Sequence, residues 1–195
     1  MQDFGRLDEH RVLTVKGVAY RLAELCPGID VRPFRQGIYA IIFLSPADCH
    51  RVFSPAEGRL VEALHVPGRR LLVHPPYQRP EFPVFSLNER VVLRMERPQG
   101  DYLLVLVAGW GVGHITSPLP IDWQRSRKRI SAARMPTPLQ VDRGQWIATF
   151  ELGSTVIVAV PPSDAEKPLL QVGQRVQFHQ ALLTTPEAQR PPTGG

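Results

Sequence analysis

The residues best placed to do chemistry in this chain are Gly153 and Ser154, inside Glu151-Leu152-Gly153-Ser154-Thr155-Val156-Ile157-Val158. Glycine has no side chain to crowd its own carbonyl. The hydroxyl of the following serine can therefore attack that carbonyl where the backbone is held under strain. Such an attack would cut the chain at Gly153-Ser154 and could leave a carbonyl cap on the new N-terminus. Read alone, Gly153-Ser154-Thr155 is a turn feeding a buried apolar strand, since a three-residue match carries little weight out of context.

His50 is a candidate proton carrier, because an imidazole gains or loses a proton near neutral pH. Without further context it is a surface histidine on a short helix, with Ser45-Pro46-Ala47-Asp48 as cap and first turn. His114 lies in a glycine-rich segment, Gly109 to Ile115, and reads either as a site residue or as a strand end. Gly109, Gly111 and Gly113 lack dinucleotide-fingerprint spacing and precede no helix, so they are read as letting strands or a ligand approach closely. Arg125, Arg127, Lys128, Arg129 and Arg134 fall between Trp123 and Met135. That stretch reads as a solvated connection, with contact to lipid headgroups or phosphates as the functional alternative. No aromatic platforms interleave the charges, which argues against a nucleic-acid partner. Cys26 and Cys49 form no disulfide framework and no metal-ligand pair by spacing, and suit a reducing compartment.

The elements that must position these residues are short. The 195 residues include 20 prolines and 15 glycines, which punctuate the chain and favour strands and turns over long helices. Gly37–Leu44, Val91–Glu96, Tyr102–Ala108 and Phe150–Val160 read as strands, the second and third paired across residues 97–101. Val12–Gly17, Gly58–Val66 and Leu71–His74 read as further strands, Val172–Phe178 as a last hairpin arm, and Tyr20–Leu25 as a helix stopped by Pro27-Gly28. One domain over 1–185 with a disordered tail over 186–195 follows from this pattern. The net charge of +5 favours an anionic partner such as a phospholipid surface. The polar opening residues do not read as a signal peptide, and no apolar run is long enough to span a bilayer, so membrane contact is expected to be peripheral.

Several segments fall in an order that resembles the phosphatidylserine decarboxylases, a pyruvoyl-dependent family, over nearly the whole chain. They are Val15-Lys16-Gly17, Leu44 to Val52, Pro55-Ala56-Glu57-Gly58, Phe85-Ser86-Leu87-Asn88-Glu89-Arg90, Val107 to Ile115, and Phe150 to Ile157. The resemblance implies a mainly β fold with a few short helices, a barrel-like or sandwiched sheet assembly, with Ser154 at a strand start beside the His50 helix. It implies self-cleavage at Gly153-Ser154 into a β chain, 1–153, and an α chain, 154–195, that begins with a pyruvoyl group derived from Ser154. That group would act as an electron sink while phosphatidylserine loses carbon dioxide to give phosphatidylethanolamine. His50 matches the family's first histidine and is implied to assist decarboxylation and reprotonation. Phe53, His114, Leu152 and Thr155 are expected to line the site, and no metal is expected.

The chain also departs from the family pattern. Phe53 stands at the second histidine, which is expected to activate the serine. The partner aspartate of an SPxDG motif would fall just before Met1, and Asp3 does not match it. The membrane-associating N-terminal segment of many relatives is likewise not found in this sequence. Trp146 stands for a usual glutamate and Ala148 for a usual glycine. These departures support a second reading, an uncleaved and catalytically silent relative that binds lipid or a protein partner. The resemblance places the protein in the cytoplasm, peripheral on the inner face of the membrane, and leaves room for a homo-oligomer.

Overall fold

The computed structural model describes residues 3–8, 11–13, 17–74, 79, 81–111, 114–121, 130–151, 153–162 and 169–183. Its centre is three apolar strands: β4 (Ile38–Leu44), β8 (Tyr102–Ala108) and β12 (Ser154–Val160). Every residue of β8 and β12 is buried, so these runs read as continuous hydrophobic stretches because both faces are covered. They sit inside an antiparallel seven-stranded sheet. Its order is β1 (Asp3–Arg6), β4, β12, β8, β7 (Arg90–Glu96), β6 (Gly58–Val66) and β10 (Ser131–Val141).

Alternation along the strands divides the core in two. Ile157 and Ala159 of β12 and Val105 and Val107 of β8 face two short helices, α1 (Leu22–Leu25) and α2 (Val84–Leu87). Val156, Val158, Leu104 and Leu106 face a three-stranded sheet of β5 (Arg51–Phe53), β11 (Trp146–Phe150) and β9 (Ile115–Thr116). β2 (Arg11–Leu13) and β3 (Ala19–Arg21) form a separate pair. The result is a mainly β sandwich with few short helices. Among the described residues β1 and β10 do not pair, so the large sheet stays open rather than closing into a barrel.

Several local expectations are corrected. Residues 45–50 form a turn, not a helix. The Asp48 N–H donates to the Ser45 carbonyl at 2.9 Å, while one Asp48 carboxylate oxygen accepts both the N–H and the hydroxyl of Ser45 at 2.8 Å. Cross-strand pairing with β11 then takes Arg51-Val52-Phe53 as strand. The helix expected over Tyr20–Leu25 is only α1, since residues 19–21 belong to β3. Leu71–His74 is irregular, because the Asn88 side chain, not a neighbouring strand, satisfies the Leu71 backbone. Val172–Phe178 contains turns instead of a hairpin arm. Phe150 and Ser154 belong to different sheets, and residues 151–153 cross between them. The basic stretch ends in β10, where Arg134 stands opposite Glu62; Arg125, Arg127, Lys128 and Arg129 lie outside the described residues, as does the tail over 186–195.

The segment Phe85 to Arg90 holds the layers together. The buried Arg90 guanidinium donates to the carbonyls of Leu25, Glu24, Ser86 and Asn88 at 2.7–3.0 Å, which ties the end of α1 to α2. Burial pulls its pKa down to about 10. Glu89 accepts from Arg70 through both Nε and Nη2, at 3.1 and 2.9 Å, and lies 3.1 Å from His65 Nε2.

Candidate active site

Gly153 and Ser154 lie where three central strands end together. Ser154 opens β12 and stands in register between Leu44, the last residue of β4, and Ala108, the last of β8. Its side chain is fully buried and shares the face of Val156, toward the three-stranded sheet; Thr155, also fully buried, takes the opposite face. Neither hydroxyl has a hydrogen-bond partner among the described residues. Leaving a buried hydroxyl unpaired costs about 1–3 kcal/mol, so such a group in a well-packed sheet calls for a role.

The carbonyl beside that serine is engaged. The Gly109 N–H donates to the Gly153 carbonyl at 3.1 Å, and the Glu151 N–H donates to the His114 carbonyl at 3.3 Å. Gly109 and His114 are thus joined to Gly153 and Glu151 respectively. A Cβ on Gly109 would lie 2.3 Å from the Gly153 oxygen and 2.9 Å from Val73 Cγ2, so only glycine permits this approach. Close approach was the expected role of these glycines, and it is met at 109. A Cβ on Gly153 would come no nearer than 3.9 Å to Pro46 Cγ, so packing does not demand glycine there. A backbone donor aimed at the carbonyl oxygen stabilises negative charge that develops on it.

His50 stands at the end of the three-stranded sheet, where its carbonyl accepts the Phe150 N–H at 3.0 Å. This places it beside the connection that leads from β11 to Ser154. Both ring nitrogens are buried and lack partners among the described residues, and no hydrogen bond joins the ring to Ser154. His114 is exposed and takes part in this frame through its carbonyl. Leu152 lies outside the described residues.

Phe53 stands opposite Trp146 in the β5–β11 ladder, and its ring packs on Phe178 with centroids 4.1 Å apart. The Arg51 guanidinium covers the Trp146 ring at 4.8 Å. Arg175 donates to the Asp48 carboxylate at 3.1 Å, so the segment 169–183 is fastened across β5 by an ion pair and an aromatic contact. The Ser45 hydrogen bonds, with Arg175 adding to them, hold the Asp48 carboxyl below the usual carboxylate range.

A cavity of about 350 Å³ opens beside Gly153, lined also by Phe43, Pro46, Leu72, Val73, His74 and Trp110. Its walls are almost wholly apolar, and Trp110 and Leu72 remain 69 % and 42 % exposed. His74 supplies the titratable ring of the lining, edge-on to Phe43 at 5.2 Å. Of the residues singled out in the sequence, Gly153 lines the cavity, whereas Ser154, His50, Phe53, His114 and Thr155 do not. His74, Trp110 and Phe43 escape a sequence reading, since their only signal is proximity to the glycine-rich segment and to the end of β4. No cluster of three or more His, Cys, Asp or Glu residues suited to a metal occurs among the described residues.

Fold and site together define a β-sandwich protein whose distinguishing feature is a buried serine set against a polarised glycine carbonyl. Residues 1–184 match the family model for phosphatidylserine decarboxylase, and the chain belongs to that family. It is 33 % identical over 189 residues to a phosphatidylserine decarboxylase proenzyme of Stenotrophomonas maltophilia (strain R551-3), covering 93 % of this chain and 66 % of the relative. It is 38 % identical over 170 residues to the proenzyme of the same name from Bordetella pertussis (strain Tohama I), covering 83 % and 57 %. A third, from Marinobacter nauticus (strain ATCC 700491), is 31 % identical over 193 residues, covering 89 % and 65 %. The chain therefore spans between 57 % and 66 % of the length of these relatives.

Proposed function

We propose that this chain is the precursor of a pyruvoyl-dependent decarboxylase that cuts itself between Gly153 and Ser154 and acts on phosphatidylserine. The observation that carries the reading is the Gly109 N–H on the Gly153 carbonyl, next to a buried Ser154 hydroxyl with no other described partner. The Ser154 oxygen adds to the Gly153 carbonyl carbon, and the oxyanion is met by Gly109. Collapse expels the Ser154 nitrogen as an amine and leaves an ester. Loss of the Ser154 Cα proton then eliminates the Gly153 carboxylate, ending the β chain at 153. The dehydroalanine left at position 154 takes up water and releases ammonia to become the pyruvoyl end of the α chain.

The residues present fit such a group, since position 154 is buried between Leu44 and Ala108 with a hydroxyl that has no described partner, while the apolar cavity borders Gly153 on the Thr155 face of the sheet. Once formed, its carbonyl supplies the electron sink for loss of carbon dioxide. His50, with two buried ring nitrogens free of described partners, is assigned to hold and return a proton. The cavity and its exposed Leu72 and Trp110 suit a substrate with acyl chains and support peripheral contact with a membrane, which this reading takes to be the inner face reached from the cytoplasm. No helix among the described residues is long and apolar enough to cross a membrane.

The second reading, an uncleaved lipid- or protein-binding relative, is favoured by Phe53, which has no proton to exchange and is engaged with Phe178. Denaturing electrophoresis and intact mass of purified protein separate the two. The first requires two chains, one beginning with a pyruvoyl group at 154. One full-length chain with intact Ser154 after prolonged incubation leaves the second.

A further inference from the structure

We propose that Asn88 is a positioning residue for the Gly153-Ser154 site, its one amide fixing both the Gly109 donor and the cavity wall. This rests on the self-cleavage reading above. Asn88 is fully buried. Its Oδ1 accepts the Leu71 N–H at 3.0 Å, and its Nδ2 donates to the Leu71 carbonyl and to the Ala108 carbonyl, both at 2.8 Å. One side chain therefore spans two segments that share no ladder with each other. The first continues directly into Leu72, Val73 and His74 of the cavity wall. The second is the peptide linking Ala108 to Gly109, because the Ala108 carbonyl and the Gly109 N–H belong to the same planar unit. Holding that carbonyl fixes the direction of the N–H that meets the Gly153 oxygen.

The backbone beside Asn88 reinforces the arrangement. The Ala108 N–H donates to the Glu89 carbonyl at 2.9 Å, and the Glu89 N–H donates to the Arg69 carbonyl at 2.7 Å. A Cβ on Gly68 would fall 2.4 Å from the Asn88 carbonyl carbon, so the 68–71 strip is seated directly on residue 88. An aspartate of the same shape keeps the acceptor for Leu71 but loses both Nδ2 donors. It also sets a carboxylate oxygen against two carbonyl oxygens, which turns the Ala108–Gly109 peptide away. A displacement of this kind costs on the order of a hundredfold in a reaction that needs a fixed geometry.

The test compares wild type, Asn88→Asp, Asn88→Ser and Leu60→Ala, the last a buried core residue on β6 that takes no part in this arrangement. Three quantities are read on each: chain cleavage by intact mass, Tm, and amide hydrogen exchange at Gly109 and at Val105 in mid-β8. In the Asn88 variants, slower cleavage and faster exchange at Gly109 with Val105 still protected are expected. Leu60→Ala is expected to lower Tm without slowing cleavage. Wild-type cleavage and Gly109 exchange in a folded Asn88 variant overturn the proposal, as does equal slowing in Leu60→Ala. If wild type itself stays uncut, the self-cleavage reading fails separately and Gly109 exchange alone decides the role of Asn88. If neither Asn88 variant folds, the amide is a folding determinant and the positioning role is rejected.

Discussion

Gly109 and Gly153 touch through one hydrogen bond, yet alanine at the two positions should slow cleavage to very different extents. At 109 the new methyl carbon would sit 2.3 Å from the Gly153 oxygen and 2.9 Å from Val73 Cγ2. Restoring normal contact requires a retreat of about 1 Å, and a 3.1 Å hydrogen bond stretched that far is lost. Removing one oxyanion donor typically costs about 10²–10³ in rate, or about 2.7–4 kcal/mol. At 153 the methyl meets only Pro46 Cγ at 3.9 Å, and the donor stays in place. Some crowding at the attacked carbonyl remains, so Gly153→Ala should slow cleavage by no more than about tenfold, or 1.4 kcal/mol. The assay is a time course of intact mass on freshly purified precursor, with Tm measured on the same samples. A folded Gly109→Ala protein that cuts at the wild-type rate would refute the assignment of the donor. So would a folded Gly153→Ala protein slowed as severely as Gly109→Ala.

Phe53→His supplies the imidazole that the family resemblance leads one to expect there, at the expense of the 4.1 Å contact with Phe178. If position 53 serves the serine, cleavage should accelerate by about 10²–10⁴, the usual worth of a general base, and the rise should follow the neutral, unprotonated fraction of the new ring; an unchanged rate refutes it. Asp48 sets a pH limit on the segment that crosses β5. Its folded pKa is depressed, so its contribution to stability is present above the unfolded value of 3.8 and is lost as pH falls through the lower folded value. Exchange protection at Ser45 and Asp48 should therefore drop below about pH 4 in wild type, and Asp48→Asn should lack that step.

What the sequence disclosed depended on how local each cause is. β4, β8 and β12 announce themselves because continuous apolar runs bounded by turns need cover on both faces. The β7–β8 hairpin is marked by Pro98 and by Gly100, whose φ is +113°. Leu71–His74 misleads because its backbone is satisfied by a side chain from residue 88, which no local pattern reveals. The helix expected to start at Ser45 and run on to Phe53 fails because Asp48 folds back on Ser45 and β11 then recruits Arg51–Phe53 as strand. At the candidate site, Ser154 and His50 are marked by their motifs. The cavity residues are not, since Trp110 and Phe43 reach Gly153 only through the register of β4, β12 and β8.

The position of Ser154 in the large sheet bears on what a cut there would produce. β12 lies between β4 and β8, paired with the one from Ser154 to Val160 and with the other from Ser154 to Ala159. Scission before Ser154 would release no strand and expose no new sheet edge. The two polypeptides would remain interleaved, the shorter contributing an inner stave to a wall built from the longer. They could part only by unfolding, so the product should migrate as one particle in native sizing and as two only in denaturant. The newborn terminus would likewise be born clamped, its first residue locked in register by neighbours on both sides.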